Sequence, residues 1–247
     1  MENVVQPYSP TRTRLLMGLT VVTALGMLVT LYLALVYAGT DITQGAVQKI
    51  FYMHIGAFSG GSVAFFVTVL AGIGTLITRN PKWDRLALSS VEIGLPLVTI
   101  TLVTGSIWAR PIWNTWWTND PRLNSMAVMW LIYAAYLTLR NAIENPDQRA
   151  RFAAVYGILA FVSVIYVTSI NRTHTDTLHP CVINVANTCP NNPTAEGGSS
   201  LTPQMVVALS VASVEWILVA ATLIWYRVRM ENVASRVQAL KLRLMSR

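Results

Sequence analysis

Charge is what this chain has least of. Only 12% of its 247 residues are Asp, Glu, Lys or Arg, and just 11 are acidic. Hydrophobic residues make up 53% and the mean hydropathy is +0.48, which excludes an ordinary soluble domain and points to a polytopic membrane protein. Two cysteines, Cys181 and Cys189, are too few for a disulfide framework, and no CxxC or CxxCH occurs. There is no internal repeat, which argues against a transporter permease built from duplicated halves. The net charge of +7 could suggest nucleic acid, but the basic residues are scattered between apolar stretches. They read as topology signals.

Six apolar segments are each long enough to cross roughly 30 Å of hydrocarbon as a helix. They span about residues 15–38, 47–77, 86–107, 124–143, 152–170 and 201–226. The fold class expected is therefore an all-α integral membrane bundle of six transmembrane helices, a single membrane domain over residues 1–226. A basic amphipathic tail at residues 227–247 follows it and suits contact with anionic lipid headgroups. The first segment superficially resembles a signal peptide, with Val36-Tyr37-Ala38 as a weak cleavage site. At about 24 residues it exceeds the usual 7–15 of a signal core, so it reads as a retained span. The second span carries Gly56, Gly60, Gly61, Gly72 and Gly74, small residues that let helices approach closely.

Orientation follows from the basic residues. Assigning loops alternately puts fourteen of the 18 lysines and arginines on one side. The positive-inside rule then makes both termini cytoplasmic. The segment at 108–123 and the long loop at 171–200 fall outside. His54 enters the membrane from that outer side, and His174 and His179 lie in the outer loop. All three histidines gather at one level.

Half of the chain's eight tryptophans fall in the outer segment, as Trp108, Trp113, Trp116 and Trp117. Pro111 suits a first helical turn and Pro121 would stop one, so a short interfacial helix is expected between them. On it Trp113, Trp116, Trp117 and Asp120 would share one face. Two readings remain open: an aromatic belt at the membrane surface, or a platform for a flat aromatic ligand.

His54 has two readings as well. An intramembrane histidine can be neutral and hydrogen-bonded to a neighbouring helix. It can also be an axial ligand to haem iron, with His179 as its counterpart from the opposite wall and His174 as a competitor. Haem would use the tryptophans for stacking, and Arg110, Arg122 or Arg172 for its propionates. Asp120 would repel a propionate and is expected to orient Arg122 or an indole N–H instead. Cys181 and Cys189 lie where disulfides persist, and a bridge closing a short loop is expected. Glu92 and Glu215 are expected to be protonated within the bundle or at a partner contact, without a catalytic role.

Trp113-Asn114-Thr115-Trp116-Trp117-Thr118-Asn119-Asp120-Pro121-Arg122-Leu123-Asn124-Ser125 resembles the tryptophan-rich "WWD" segment of membrane haem-handling proteins. Arg-Leu-x-Ser after the aspartate is similar to the CcmC branch (haem exporter protein C), as are Tyr52-Met53-His54 and Thr177-Leu178-His179-Pro180. The chain departs from the family pattern at Asn114, where a glycine is usual, and at Asn119, where a tryptophan is. It also carries Arg172-Thr173-His174-Thr175 where tryptophans tend to precede the Leu-His element, and a longer extension around the cysteines.

The resemblance implies non-covalent haem b held on the outer face of the inner membrane, with His54 and His179 as axial ligands. The platform residues it implies are Trp113, Trp116, Trp117 and Asp120, and the residues themselves add Trp108 to the platform and Arg110 and Arg122 for the propionates. It further implies delivery of haem to the chaperone CcmE in c-type cytochrome maturation, with the CcmA/CcmB transporter and a small CcmD-like subunit as partners. No bond-making active site is implied. Two rivals stand beside it. One is a haem b electron-transfer subunit, which typically places its histidines within the spans. The other is the CcsA synthetase branch, which expects four histidines where this chain has three.

Overall fold

A computed structural model of the chain describes residues 9–173, 177–179 and 201–245. Six helices account for nearly all of it: α1 (Pro10–Tyr32), α2 (Ile50–Thr78), α3 (Pro81–Trp113), α4 (Pro121–Ala142), α5 (Pro146–Thr173) and α6 (Pro203–Met245). Five of them, all but α4, are long and apolar enough to cross a membrane. At 22 residues α4 has the length, but its sequence is less apolar. The basic tail is not a separate element, because α6 runs through it without a break.

Four helices begin the same way. A capping residue precedes a proline, whose missing N–H costs nothing in a first turn. Asn80 accepts from the Lys82 N–H at 3.0 Å, Asp120 from Arg122 at 2.8 Å, and Asn145 from Asp147 at 3.0 Å. Thr202 accepts from the Met205 N–H at 3.3 Å ahead of Pro203. These caps set where α3, α4, α5 and α6 start, and for α3, α4 and α5 that is several residues before the apolar runs begin.

The expected helix between Pro111 and Pro121 is absent, and both prolines play the opposite role. Pro111 lies inside the last turn of α3, which continues to Trp113 and ends on Asn114 in the left-handed region (φ 54°). Residues 114–120 then form an irregular crossing, and Pro121 opens α4. Packing of the α3 terminus outweighs the hydrogen bond lost at Pro111. An asparagine at the left-handed position is a tolerated stop where glycine is usual.

At its other end, α1 widens into a π-helical turn at Leu33–Tyr37. The Leu35 carbonyl accepts from Lys49 Nζ at 2.6 Å, which ties α1 to the 3₁₀ turn Ala46–Lys49 ahead of α2. Such widened turns expose backbone groups to side-chain partners.

Helix α2 is the centre of the bundle, packed against α3, α5 and α6. Two adjacent glycines explain how. A Cβ on Gly60 would stand 2.5 Å from the Trp216 carbonyl oxygen, and one on Gly61 would stand 2.8 Å from Val98. Only glycine lets α6 and α3 come that close. One turn along from Gly61, Phe65 of α2 stacks on Tyr133 of α4 with centroids 3.4 Å apart and planes 3° from parallel. By contrast, α1 packs chiefly on α6 and leaves Leu15, Met17, Val21, Leu25 and Leu28 exposed, as a lipid-facing helix should.

Two arginines at one end of the bundle, Arg140 and Arg227, are held in ion pairs. Arg140 grips Asp84 with two hydrogen bonds, at 2.5 and 2.9 Å, joining the end of α4 to the start of α3. Glu92 does not stand alone in its span: Arg227 of α6 binds it at 2.8 Å and also meets Glu231. Glu215 is buried against Gly26 of α1, and its Oε1 has no hydrogen-bond partner among the described residues.

Candidate functional site

At the end of the bundle away from those ion pairs lies a cavity of about 390 Å³, within the roughly 300–1,000 Å³ usual for small-molecule sites. Both His54 and His179 line it, with Trp108, Trp113, Trp117 and Arg122. Phe51, Phe58, Leu102 and Met126 supply apolar wall. Histidines 125 positions apart in the chain thus face one space.

His54 sits in the second turn of α2, against α3. Its Nδ1 is 3.0 Å from the Thr101 carbonyl and 3.3 Å from Thr104 Oγ1. A carbonyl only accepts, so Nδ1 carries the proton and Nε2 keeps its lone pair. That is the arrangement of a metal-ligating imidazole, whose second nitrogen is held by a backbone carbonyl. The ring packs edge-on against Trp108, 5.9 Å between centroids, and over Gly105, where a Cβ would lie 2.9 Å from Cε1. Trp108 is itself fixed, donating from Nε1 to Gln44 at 2.9 Å.

His179 is held indirectly, through Asp120. That carboxylate is fully shielded, caps α4, and accepts from the Thr177 hydroxyl at 2.9 Å and the Leu178 N–H at 2.6 Å. The residues just before His179 are thereby bound to the first turn of α4. Burial alone would raise the Asp120 carboxyl, but the adjacent His179 ring, the Leu178 N–H and the Thr177 hydroxyl together hold it well below the usual carboxylate range. His179 Nδ1 stands 3.8 Å from Asp120 Oδ1, close enough for attraction but too far for a hydrogen bond. Burial, and Arg122 nearby, lower the His179 imidazole despite Asp120. It is therefore neutral near pH 7 and competent as a ligand. Its ring meets Trp113 edge-on at 5.6 Å.

The remaining expected residues divide. Trp113 and Trp117 reach the cavity; the Trp113 indole N–H is buried without an acceptor among the described residues, and Trp117 donates to Asn124 Oδ1 at 3.3 Å. Arg122 lines the cavity too. Trp116 does not: it is 58% exposed and outside, because the chain turns at Asn114 rather than continuing as a helix. Arg110 also faces away, its guanidinium donating to the Asn114 carbonyl at 2.8 Å and to the Asn114 side chain. Asp120 is no platform residue and orients neither the Arg122 guanidinium nor an indole; its donors are backbone amides and Thr177. His174, Cys181 and Cys189 lie outside the described residues.

The sequence reading passed over Thr101, Thr104 and Gly105. They sit at i, i+3 and i+4 on α3, a polar and small patch in an apolar run, which is the signal that could have marked a face turned to another side chain. Gln44 lies in the polar stretch between the first two apolar segments.

Long apolar helices around a cavity lined by histidines and aromatic side chains define an integral membrane protein with a cavity of small-molecule size. The family described as CcmC, heme exporter protein C, matches residues 5–243, and the chain belongs to that family. It is 30% identical over 210 residues to heme exporter protein C of Bradyrhizobium diazoefficiens, covering 85% of this chain and 76% of that protein. The Escherichia coli K12 protein of the same name is 35% identical over 132 residues, about half of each chain (52% and 51%). A shorter match, 33% identical over 91 residues, joins 37% of this chain to 28% of the cytochrome c biogenesis protein CcsA of Prochlorococcus marinus. Membership implies haem handling in c-type cytochrome biogenesis.

Proposed function

We propose that the protein binds non-covalent haem b in this cavity, with His54 and His179 as axial ligands, and passes it to a CcmE-like chaperone. Haem is cargo here rather than a resident cofactor. The observation that carries the reading is the hydrogen bond from His54 Nδ1 to the Thr101 carbonyl at 3.0 Å, which reserves Nε2 for iron. A neutral His179 in the same cavity supplies the second nitrogen, and Trp108, Trp113 and Trp117 supply aromatic area. Arg122 is the cation placed for a propionate, and the Trp113 N–H, which has no acceptor among the described residues, is a further donor.

The charge distribution supports an arrangement with both termini cytoplasmic, α4 as a sixth span, and the cavity opening outside the inner membrane. That side is where a chaperone would receive haem. Release of the loaded chaperone would fall to a CcmA/CcmB-type transporter, with a small CcmD-like subunit alongside. No bond-making role is assigned to this chain. A synthetase role has less behind it, since the CcsA match spans only 37% of the chain.

The test is an absorption spectrum of the purified protein titrated with haemin. A bound-haem Soret band in the wild type, lost or shifted in His54→Ala and in His179→Ala, is expected. A wild type that binds no haemin would sink the proposal.

A further inference from the structure

A second cavity, of about 800 Å³, lies at the opposite end of the bundle, where α2 ends, α3 and α5 begin and α6 passes. It includes Thr75 of α2, 21 residues beyond His54 and so about 32 Å further along the helix. Its lining holds six arginines: Arg79, Arg85, Arg140, Arg149, Arg151 and Arg227. Nothing in the haem-handling reading uses them.

Two of these arginines are neutralised within the cavity. Asp84 takes Arg140, and Glu92 with Glu231 takes Arg227. Arg79, Arg85, Arg149 and Arg151 are left, with Asp147 as the one carboxylate of the lining outside those pairs. Arg85 and Arg149 each have a buried Nε with no hydrogen-bond acceptor among the described residues. A shielded guanidinium donor without an acceptor loses its hydrogen bond to water and gains none in return, which packing alone gives the fold no reason to bear. The positive ends of α3 and α5 point to the same region, since Pro81 and Pro146 open both helices there. Excess guanidinium, unmet donors and two helix N-termini around a polar hollow call for an anion with several oxygens.

We propose that this cavity binds a phosphate-bearing anion, with Arg85 and Arg149 as its principal ligands. Guanidinium forks match tetrahedral phosphate oxygens better than a single carboxylate would, and the volume exceeds what one carboxylate needs. Two sources carry that chemistry. One is the headgroup of an anionic phospholipid, for which the half-exposed Trp83 on α3 is a suitable interfacial neighbour. The other is a soluble phosphate.

The experiment uses delipidated full-length protein in detergent, with phosphatidylglycerol, phosphatidylcholine and pyrophosphate as probes. Native mass spectrometry reads bound lipid, and a thermal shift titration reads pyrophosphate. Binding of phosphatidylglycerol over phosphatidylcholine, without pyrophosphate, identifies the lipid headgroup; pyrophosphate binding identifies a site open to soluble phosphate. Either should weaken about tenfold or more in R85Q/R149Q. A second measurement needs no variant: phenylglyoxal labelling of Arg85 and Arg149 in the wild type should be suppressed by whichever probe binds. Binding of neither probe, binding unchanged in the double variant, or labelling unaffected by the bound probe would each overturn the proposal.

Discussion

The hydroxyl of Thr177 donates to the carboxylate of Asp120 at 2.9 Å across 57 positions of sequence, and this bond is buried. With the Leu178 N–H at 2.6 Å, it fastens the segment bearing His179 to the start of α4. Asp120 therefore does two tasks with one carboxylate: it caps a helix and it positions a histidine.

Removing Asp120 should cost stability and haem together. Asp120→Ala loses a cap, worth about 1 kcal/mol, and leaves the Thr177 and Leu178 donors without a charged acceptor, so a total near 3 kcal/mol is expected. Haemin titration should show weaker binding even in molecules that remain folded. Thr177→Val, which removes a single donor, should fall between the two. Equal haem affinity in wild type and Asp120→Ala would show that the tether does not serve the site.

The same carboxylate sets a pH dependence. Its folded pKa is depressed, so its contribution is present above the unfolded value, about 3.9, and is lost as pH falls through the lower folded value. The stability gap between wild type and Asp120→Asn, read as a difference in melting temperature, should be wide at pH 6. It should shrink only in strong acid. A gap independent of pH would mean that the charge of Asp120 contributes nothing.

Gly105→Ala is the mildest change aimed at the other histidine. The new methyl would lie 2.9 Å from His54 Cε1, so the ring must move and its bond to Thr101 must bend. Overpacking of this kind costs about 1–3 kcal/mol. The expected result is a folded protein with a shifted Soret band and reduced haemin affinity. An unchanged spectrum would place His54 away from the iron.

Trp116 and Trp113 should separate cleanly. Trp116 is 58% exposed and outside the cavity, so Trp116→Ala should leave haemin affinity as in the wild type. Trp113→Ala removes a wall that touches His179 and should weaken it. Equal losses in both variants would argue for an arrangement of the loop different from the one described.

Much of this molecule was legible in its apolar runs. Each of the six expected segments coincides with a helix, and residues 15–38 read as one helical run because no charged residue interrupts them. The ends were less legible, since capping pairs such as Asn80-Pro81 and Asp120-Pro121 sit outside the apolar runs and extend the helices past them. The tryptophan segment misled for a specific reason. A proline marks a helix start or a helix interior according to its tertiary surroundings, and Pro111 and Pro121 could each be read the wrong way. The histidines were found as residue types, but the groups that orient them were not. Thr101 acts through a backbone carbonyl, which no side-chain pattern reveals, and Asp120 acts on a segment distant in the chain.

Low-temperature electron paramagnetic resonance of the ferric, haem-loaded protein tests the axial pair most directly. Two imidazole ligands should give a low-spin signal in the wild type, and His54→Ala and His179→Ala should each lose it in favour of high-spin or differently ligated iron. A wild-type low-spin signal that survives unchanged in both variants would contradict the assignment of His54 and His179 as the residues that hold the haem.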